Sequence, residues 1–288
     1  MLEYTPQLLI SAITEGSIYA LMGLGLSIIY RSTDVMFFAQ GTLAMIAGVS
    51  LYGLTQFHLP LYAAVPICLI ICVIVALAAQ YAVIMPLLDR GVPPLSVSMI
   101  TIGVAFIYET AAMILFGKEA LPVPLFSGNE PFRILGASIV PQELWVVGST
   151  IVALSFSIMF FKKTWTGKAL TGLGDNPLLA KASGLPVRHL ASYAFIFAAL
   201  VGGLAGAVSA PMSYAGYWLG TRWTIKGFVA AAVGGMSNPL GVFFGGLIIG
   251  FFEAFTAGFI SSMLRDLITI ILLLLVLRLR PQGLLGDK

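Results

Sequence analysis

Three glutamates, Glu15, Glu109 and Glu253, lie inside long apolar stretches of this sequence. A carboxylate held away from water is costly. Such a residue serves a ligand or ion path, or it is satisfied across a helix contact or at an interface. Glu253 follows a glycine-rich interruption closely and is the first to test for a functional role. The chain carries little else suited to bond-making chemistry. Cys68 and Cys72 stand four residues apart in an apolar run, on one side of a helix. Two small packing residues explain them better than a disulfide or a metal site. His58 and His189 read as loop or interface residues with no partner histidine in a span, so neither haem nor metal is expected. No G-x-x-x-x-G-K-[ST] phosphate loop occurs, nor the paired His, Asp or Ser sets of a membrane-embedded enzyme. No cofactor and no catalytic residue are expected.

The elements that must position these residues are membrane helices. Of 288 residues, 59% are apolar and only 9% charged, and mean hydropathy is +1.01. A soluble domain carries about 25% charged residues, so much of this surface must face lipid. The net charge of +3 is small and gives no sign of nucleic acid binding. Residues 1–7 lack Lys and Arg and include Glu3, so the first apolar stretch reads as a retained span rather than a cleaved signal. About eight spans are expected, near 8–30, 36–56, 61–88, 96–117, 142–161, 190–212, 226–258 and 262–279. None alternates with period two, so the fold class is an all-α polytopic helical bundle.

Lys162, Lys163, Lys168, Lys181 and Arg188 place the 162–188 loop in the cytoplasm, and Arg278, Arg280 and Lys288 place the tail there too. The proline-rich 118–141 loop belongs outside. The chain must then cross an even number of times between residue 190 and the tail. The 226–258 stretch is therefore expected to re-enter, or to cross twice in cramped form. Its centre, from Gly234 and Gly235 through Asn238 and Pro239 to Gly241, is a poor helix interior. Half-helices meeting inside the bundle at this break are the preferred reading, and such breaks mark solute paths. Ala198, Gly202, Gly206 and Ala210 form a small-residue stripe, as do Gly246, Gly250, Ala254 and Gly258, which predicts close helix packing. Tyr214, Tyr217, Trp218 and Trp223 look like an outer interfacial belt, with Arg222 and Lys226 anchoring near the outer mouth.

In the basic loop, Asp175-Asn176-Pro177-Leu178-Leu179-Ala180-Lys181-Ala182-Ser183-Gly184-Leu185 has the form of a two-turn helix. Asn176 can cap it, Pro177 can open it and Gly184 can close it. A short cytoplasmic helix can dock on a partner protein, although an ordinary amphipathic loop helix has the same local signature.

This segment resembles the coupling segment of permeases in the branched-chain amino acid ATP-binding-cassette importer family, with Leu178 and Ser183 departing from the usual D-N-P-E-A-A-R-L-M-G. Further blocks are similar to that family in the same order. They are Gly16 to Leu21 with Gly25 to Tyr30, Phe37-Phe38-Ala39-Gln40-Gly41, Lys226-Gly227-Phe228 to Gly246, and Arg280-Pro281-Gln282-Gly283-Leu284-Leu285-Gly286. The resemblance implies one permease domain over 1–288 in the bacterial inner membrane. Its halves would be 8–161 and 190–279, with coupling loop 162–190 and cytoplasmic tail 280–288. It implies a second homologous permease, two cytoplasmic ATP-binding subunits and a periplasmic solute-binding protein, in contact with membrane lipid. The implied cargo is a branched-chain or related amino acid, with urea, amides or small aromatic acids as the range open to relatives. An autonomous ion-coupled carrier is the competing reading. Asp175, Asn176, Pro177, Leu179, Ala180, Ser183 and Gly184 are the expected ATPase-coupling residues. Phe38, Gln40, Gly41, Gly234, Gly235, Asn238 and Glu253 are the expected lining of the path. The two breaks sit in corresponding halves, as an inverted internal repeat would place them.

Overall fold

The computed structural model describes residues 5–128, 130–134, 137–175 and 177–286. Its axis is α1 (Thr5–Thr33), a 29-residue helix buried along most of its length from Ala12. Helices α2 (Gln40–Gln56), α9 (Val187–Ser213), α10 (Leu219–Gly234) and α11 (Pro239–Phe259) pack around it, with α11 making the longest contact. Both small-residue stripes do the packing. Gly246 and Gly250 lie on the backbone of Ala12, Gly16 and Ala20 in α1. Gly206 meets the Ala44 carbonyl of α2, and Gly202 leaves room for Gln40. Close approach of backbones replaces the hydrophobic driving force that lipid cannot supply.

Helix α3 (Leu61–Ala79) continues through a π turn at Gln80–Ile84 into α4 (Met85–Asp89), forming one long apolar span. The wide turn presents Gln80 to α9, where its Nε2 donates to Ser192 Oγ (3.0 Å). Helices α5 (Pro94–Phe116) and α6 (Pro141–Lys163) flank the core, and a short loop domain of α7 (Trp165–Asp175) and α8 (Pro177–Ala182) follows α6. Six helices are long and apolar enough to cross a membrane. Three more are shorter: α2, α10 and α12 (Arg265–Leu279), with 17, 16 and 15 residues.

The structure departs from expectation in three places. The 118–141 loop carries an unexpected small antiparallel hairpin, β1 (Phe132–Ile134) with β2 (Ala137–Ile139), beside a bundle that is all-α as expected. The 226–258 stretch is two helices, and the first starts seven residues earlier than hydropathy suggested, because polar Thr221, Arg222 and Thr224 dilute the apolar signal. The segment before Gln40 is not helical, so α2 starts later than residue 36.

The break itself is a turn between α10 and α11, closed by the C-terminal tail. The N–H groups of Leu284 and Leu285 donate to the carbonyls of Val233 (2.8 Å) and Gly234 (2.9 Å). They thus satisfy carbonyls that the end of α10 leaves free. Gly235, at φ +107°, makes the bend that a side chain would resist. Asn238 caps α11 by accepting the Leu240 N–H (3.1 Å) and donates its own Nδ2 to the Leu285 carbonyl (3.2 Å).

Candidate functional site

Two of the short helices begin inside the bundle rather than at its edge. α2 is reached through the non-helical segment 34–39, and Gly25 of α1 lies against Gln40. Gly25 is eight residues before the end of α1, about 12 Å up the helix. α10 is reached from the opposite end through 214–218, where Ala215 pairs with Leu121 of the 118–141 loop (2.8 Å). The starts of the two helices meet. The Gly41 N–H donates to Thr224 Oγ1 (2.9 Å), and Gly41 rests directly on the Gly220 carbonyl and the Thr224 nitrogen. Only glycine lets these two backbones come so close.

The approach to this crossing is held by α5. Ser98 Oγ accepts the Met36 N–H (2.8 Å) and Thr101 Oγ1 accepts the Phe38 N–H (2.9 Å). About two turns along the same helix, Glu109 Oε1 accepts the Thr221 N–H (2.5 Å) in the first turn of α10. A carboxylate there complements the positive end of the helix dipole. The rings of Phe38 and Phe228 stand 5.6 Å apart. Gln40 is fully buried; its Nε2 donates to the Ala198 carbonyl (2.9 Å), while its Oε1 has no partner. The crossing therefore combines helix N-termini, one acid, aromatic walls and one unspent acceptor. Such a set can hold a small zwitterion with an apolar side chain.

Of the residues expected on the path, Phe38, Gln40 and Gly41 come together at this crossing. Gly234, Gly235 and Asn238 do not join them. They lie ten residues beyond Thr224 on α10, about 15 Å away, against the tail. The meeting of half-helices expected at residues 234–241 occurs instead between the starts of α2 and α10. The α10 start was hidden because its signal is a short run, Gly220-Thr221, beside residues that looked interfacial.

Glu253 is not on that face. It is 1% exposed and ion-paired with Lys226, which is 5% exposed. Thr269 Oγ1 donates to the same carboxylate, and the Tyr19 O–H donates to its other oxygen (2.8 Å). Lys226 also reaches Asp266 (2.7 Å). The expectation that Lys226 anchors the outer mouth is thus corrected: it is the buried cation that neutralises Glu253. Trp223 is likewise buried rather than interfacial. Glu15 pairs with Arg265 (3.1 Å). Of the three glutamates, Glu109 is the one that accepts a described backbone N–H at a helix start.

In the cytoplasmic-type loop, α7 is seated on the end of α1, with Gly174 against the Arg31 carbonyl. In α8, Ala180 is buried with Leu170, Leu173 and Leu190, whereas Leu179 is 64% exposed. Gly184, at φ +75°, follows the helix, and the Ser183 and Leu185 N–H groups bond to the Leu179 (2.9 Å) and Ala180 (3.1 Å) carbonyls. This is the closure that the glycine promised. The expected cap Asn176 lies outside the described residues, as do the side chains of Asp175 and Pro177.

Comparison with known proteins gives one reading. Residues 8–277 match the family model described as branched-chain amino acid transport system / permease component. A Pseudomonas aeruginosa protein named as the high-affinity branched-chain amino acid transport system permease protein BraD is 26% identical over 97% of this chain and 95% of its own. The Escherichia coli permease protein LivH is 25% identical over 98% and 96%. A Methanocaldococcus jannaschii protein named as a probable LivH is 27% identical over 96% and 90%. Among solved structures, PsaBC from Streptococcus pneumoniae in complex with Fab shares the fold, with TM-score 0.50 and 17% identity over 99% of this chain and 92% of that one.

Proposed function

This chain belongs to the family of permease components of branched-chain amino acid transport systems. From that membership we propose that it moves a branched-chain or related amino acid into the cell past the crossing of α2 and α10. It is a multi-pass inner-membrane permease subunit of an ATP-binding-cassette importer, a class that works with ATPase and solute-binding partners. In this reading, ATP hydrolysis belongs to two cytoplasmic subunits docked on α8, and a second homologous permease completes the path. A periplasmic binding protein delivers cargo at the 118–141 loop.

The observation that carries the path is the pair of helix starts inside the bundle, one of them capped by Glu109. The positive ends of the two helix dipoles suit a substrate carboxylate, the acid suits its ammonium, and Phe38 and Phe228 suit an apolar side chain. The same pattern of long helix, extended segment and short inner helix recurs as α1–α2 and α9–α10. α1 and α9 run in opposite directions: Gln7 near the start of α1 bonds Ser138 (2.9 Å), and Val208 near the end of α9 bonds Gln142 (2.7 Å), both on the hairpin-loop side. This supports an inverted repeat with residue 5 outside and the tail inside.

Two experiments test the reading. Leu179→Asp, on the exposed face of α8, is expected to abolish ATPase co-purification and uptake while the permease still elutes as a monodisperse species. Uptake that survives without ATPase would favour an autonomous carrier. Glu109→Gln keeps an acceptor for Thr221 but removes the charge. It is expected to lower amino-acid uptake roughly tenfold, equivalent to about 1.4 kcal/mol, with little change in thermal midpoint. Unchanged uptake would make Glu109 a helix cap only.

A further inference from the structure

A cavity of about 540 Å³ opens where the ends of α1 and α6 meet α7 and the α10–α11 turn. Three cations from three helices line it: Arg31, Lys162 and Lys168. No acidic residue lines it, and none of the three cations forms an ion pair with a described residue. Arg31 is held over the Phe161 ring (5.1 Å), which fixes its guanidinium at the cavity instead of letting it sweep through solvent. Converging like charges repel, and the C-terminal ends of α1 and α6 offset only part of this charge, with no acid in the described lining. The rest of the lining mixes apolar residues, among them Ile158, Phe161 and Leu240, with the hydroxyl residues Thr171 and Ser237. Lys162 is in the last turn of the 23-residue span α6, and α11 opens beside it, so the cavity lies at headgroup depth.

We propose that this cavity binds the phosphate headgroup of an anionic phospholipid of the cytoplasmic leaflet. The cations take the phosphate, the hydroxyl side chains take its ester or glycerol oxygens, and the apolar residues lead the acyl chains back into the bilayer. The surface suits a lipid better than a free anion because apolar residues share the lining with the cations. Its place gives the lipid a role. It joins α7, which carries the docking helix, to the turn that links α10 and α11, so bound lipid stiffens the link between the docking loop and the core. The binding claim stands independently of the transported solute.

The test is native mass spectrometry of the permease complex exchanged into phosphatidylglycerol, phosphatidylethanolamine or lipid-free detergent. Wild type is expected to retain phosphatidylglycerol preferentially. Lys162→Gln with Lys168→Gln is expected to bind it about 30-fold more weakly, as loss of two headgroup-facing cations implies. Lys163→Gln, which lies outside the cavity lining, is expected to behave as wild type. Both lysines of the double variant are exposed, and an unchanged thermal midpoint in phosphatidylethanolamine verifies folding. Equal retention of phosphatidylethanolamine, an unchanged double variant, or a Lys163→Gln loss as large as the double variant's would overturn the proposal. So would inorganic phosphate alone protecting the protein as well as phosphatidylglycerol does, or loss of the lipid once the ATPase subunits occupy the cavity.

Discussion

Lys226→Met is expected to destabilise the folded permease by about 3–5 kcal/mol, because it strands Glu253 as an unpaired buried carboxylate. The residue pair is almost wholly enclosed, and Thr269 and Tyr19 complete the shell around the acid. Once the cation is gone, two neutral hydroxyl donors must support a charge with no counterion. The measurement is thermal unfolding in detergent, together with the yield of monodisperse protein. Combining Lys226→Met with Glu253→Leu removes both charges and is expected to restore most of the loss, since a neutral, filled core costs far less than a single orphan charge. Asp266→Asn should matter little, because that side chain is 67% exposed and solvent screens it. A fully stable Lys226→Met would show that Glu253 is held neutral by other means.

Gly41→Val is expected to eliminate uptake. A Cβ at this position overlaps the Gly220 carbonyl and the Thr224 nitrogen, both backbone atoms with no rotamer to escape into. The α2 and α10 starts must separate, and the Gly41 N–H loses Thr224. Overpacking of this kind costs about 1–3 kcal/mol, which a bundle this interlocked can survive while its crossing is deformed. Gly103→Val is the matched control: it adds the same atoms to α5 where nothing lies within 4 Å. Full uptake by Gly41→Val, measured beside that control, would remove the crossing from the path.

Much of this bundle was legible in the sequence, because lipid simplifies the problem. Helix is the only open choice, small-residue stripes dictate who packs on whom, and Gly246 with Gly250 found α1 as their spacing implied. The α8 closure was legible for the same local reason, since Gly184 can adopt a conformation that other residues resist. The crossing was half legible. Residues 37–41 stood out, but their partner did not, because Gly220 and Thr224 act through a contact across 183 residues of chain. Lys226 misled for a related reason. Hydropathy treats a lysine as something to keep wet, and it has no way of registering an acid on the next helix that makes burial tolerable. Glu109 shows the converse: its carboxylate gains meaning only from a helix start that hydropathy had placed elsewhere.

The tail that closes the α10–α11 turn bears on how the molecule is made. Leu284 and Leu285 follow every helix in the order of synthesis, yet they supply the last bonds to a turn threaded some fifty residues earlier. Until they arrive, the carbonyls of Val233 and Gly234 and the Asn238 amide lack these hydrogen-bond partners. Docking of the tail thus closes the turn only after the helices that frame it have been made.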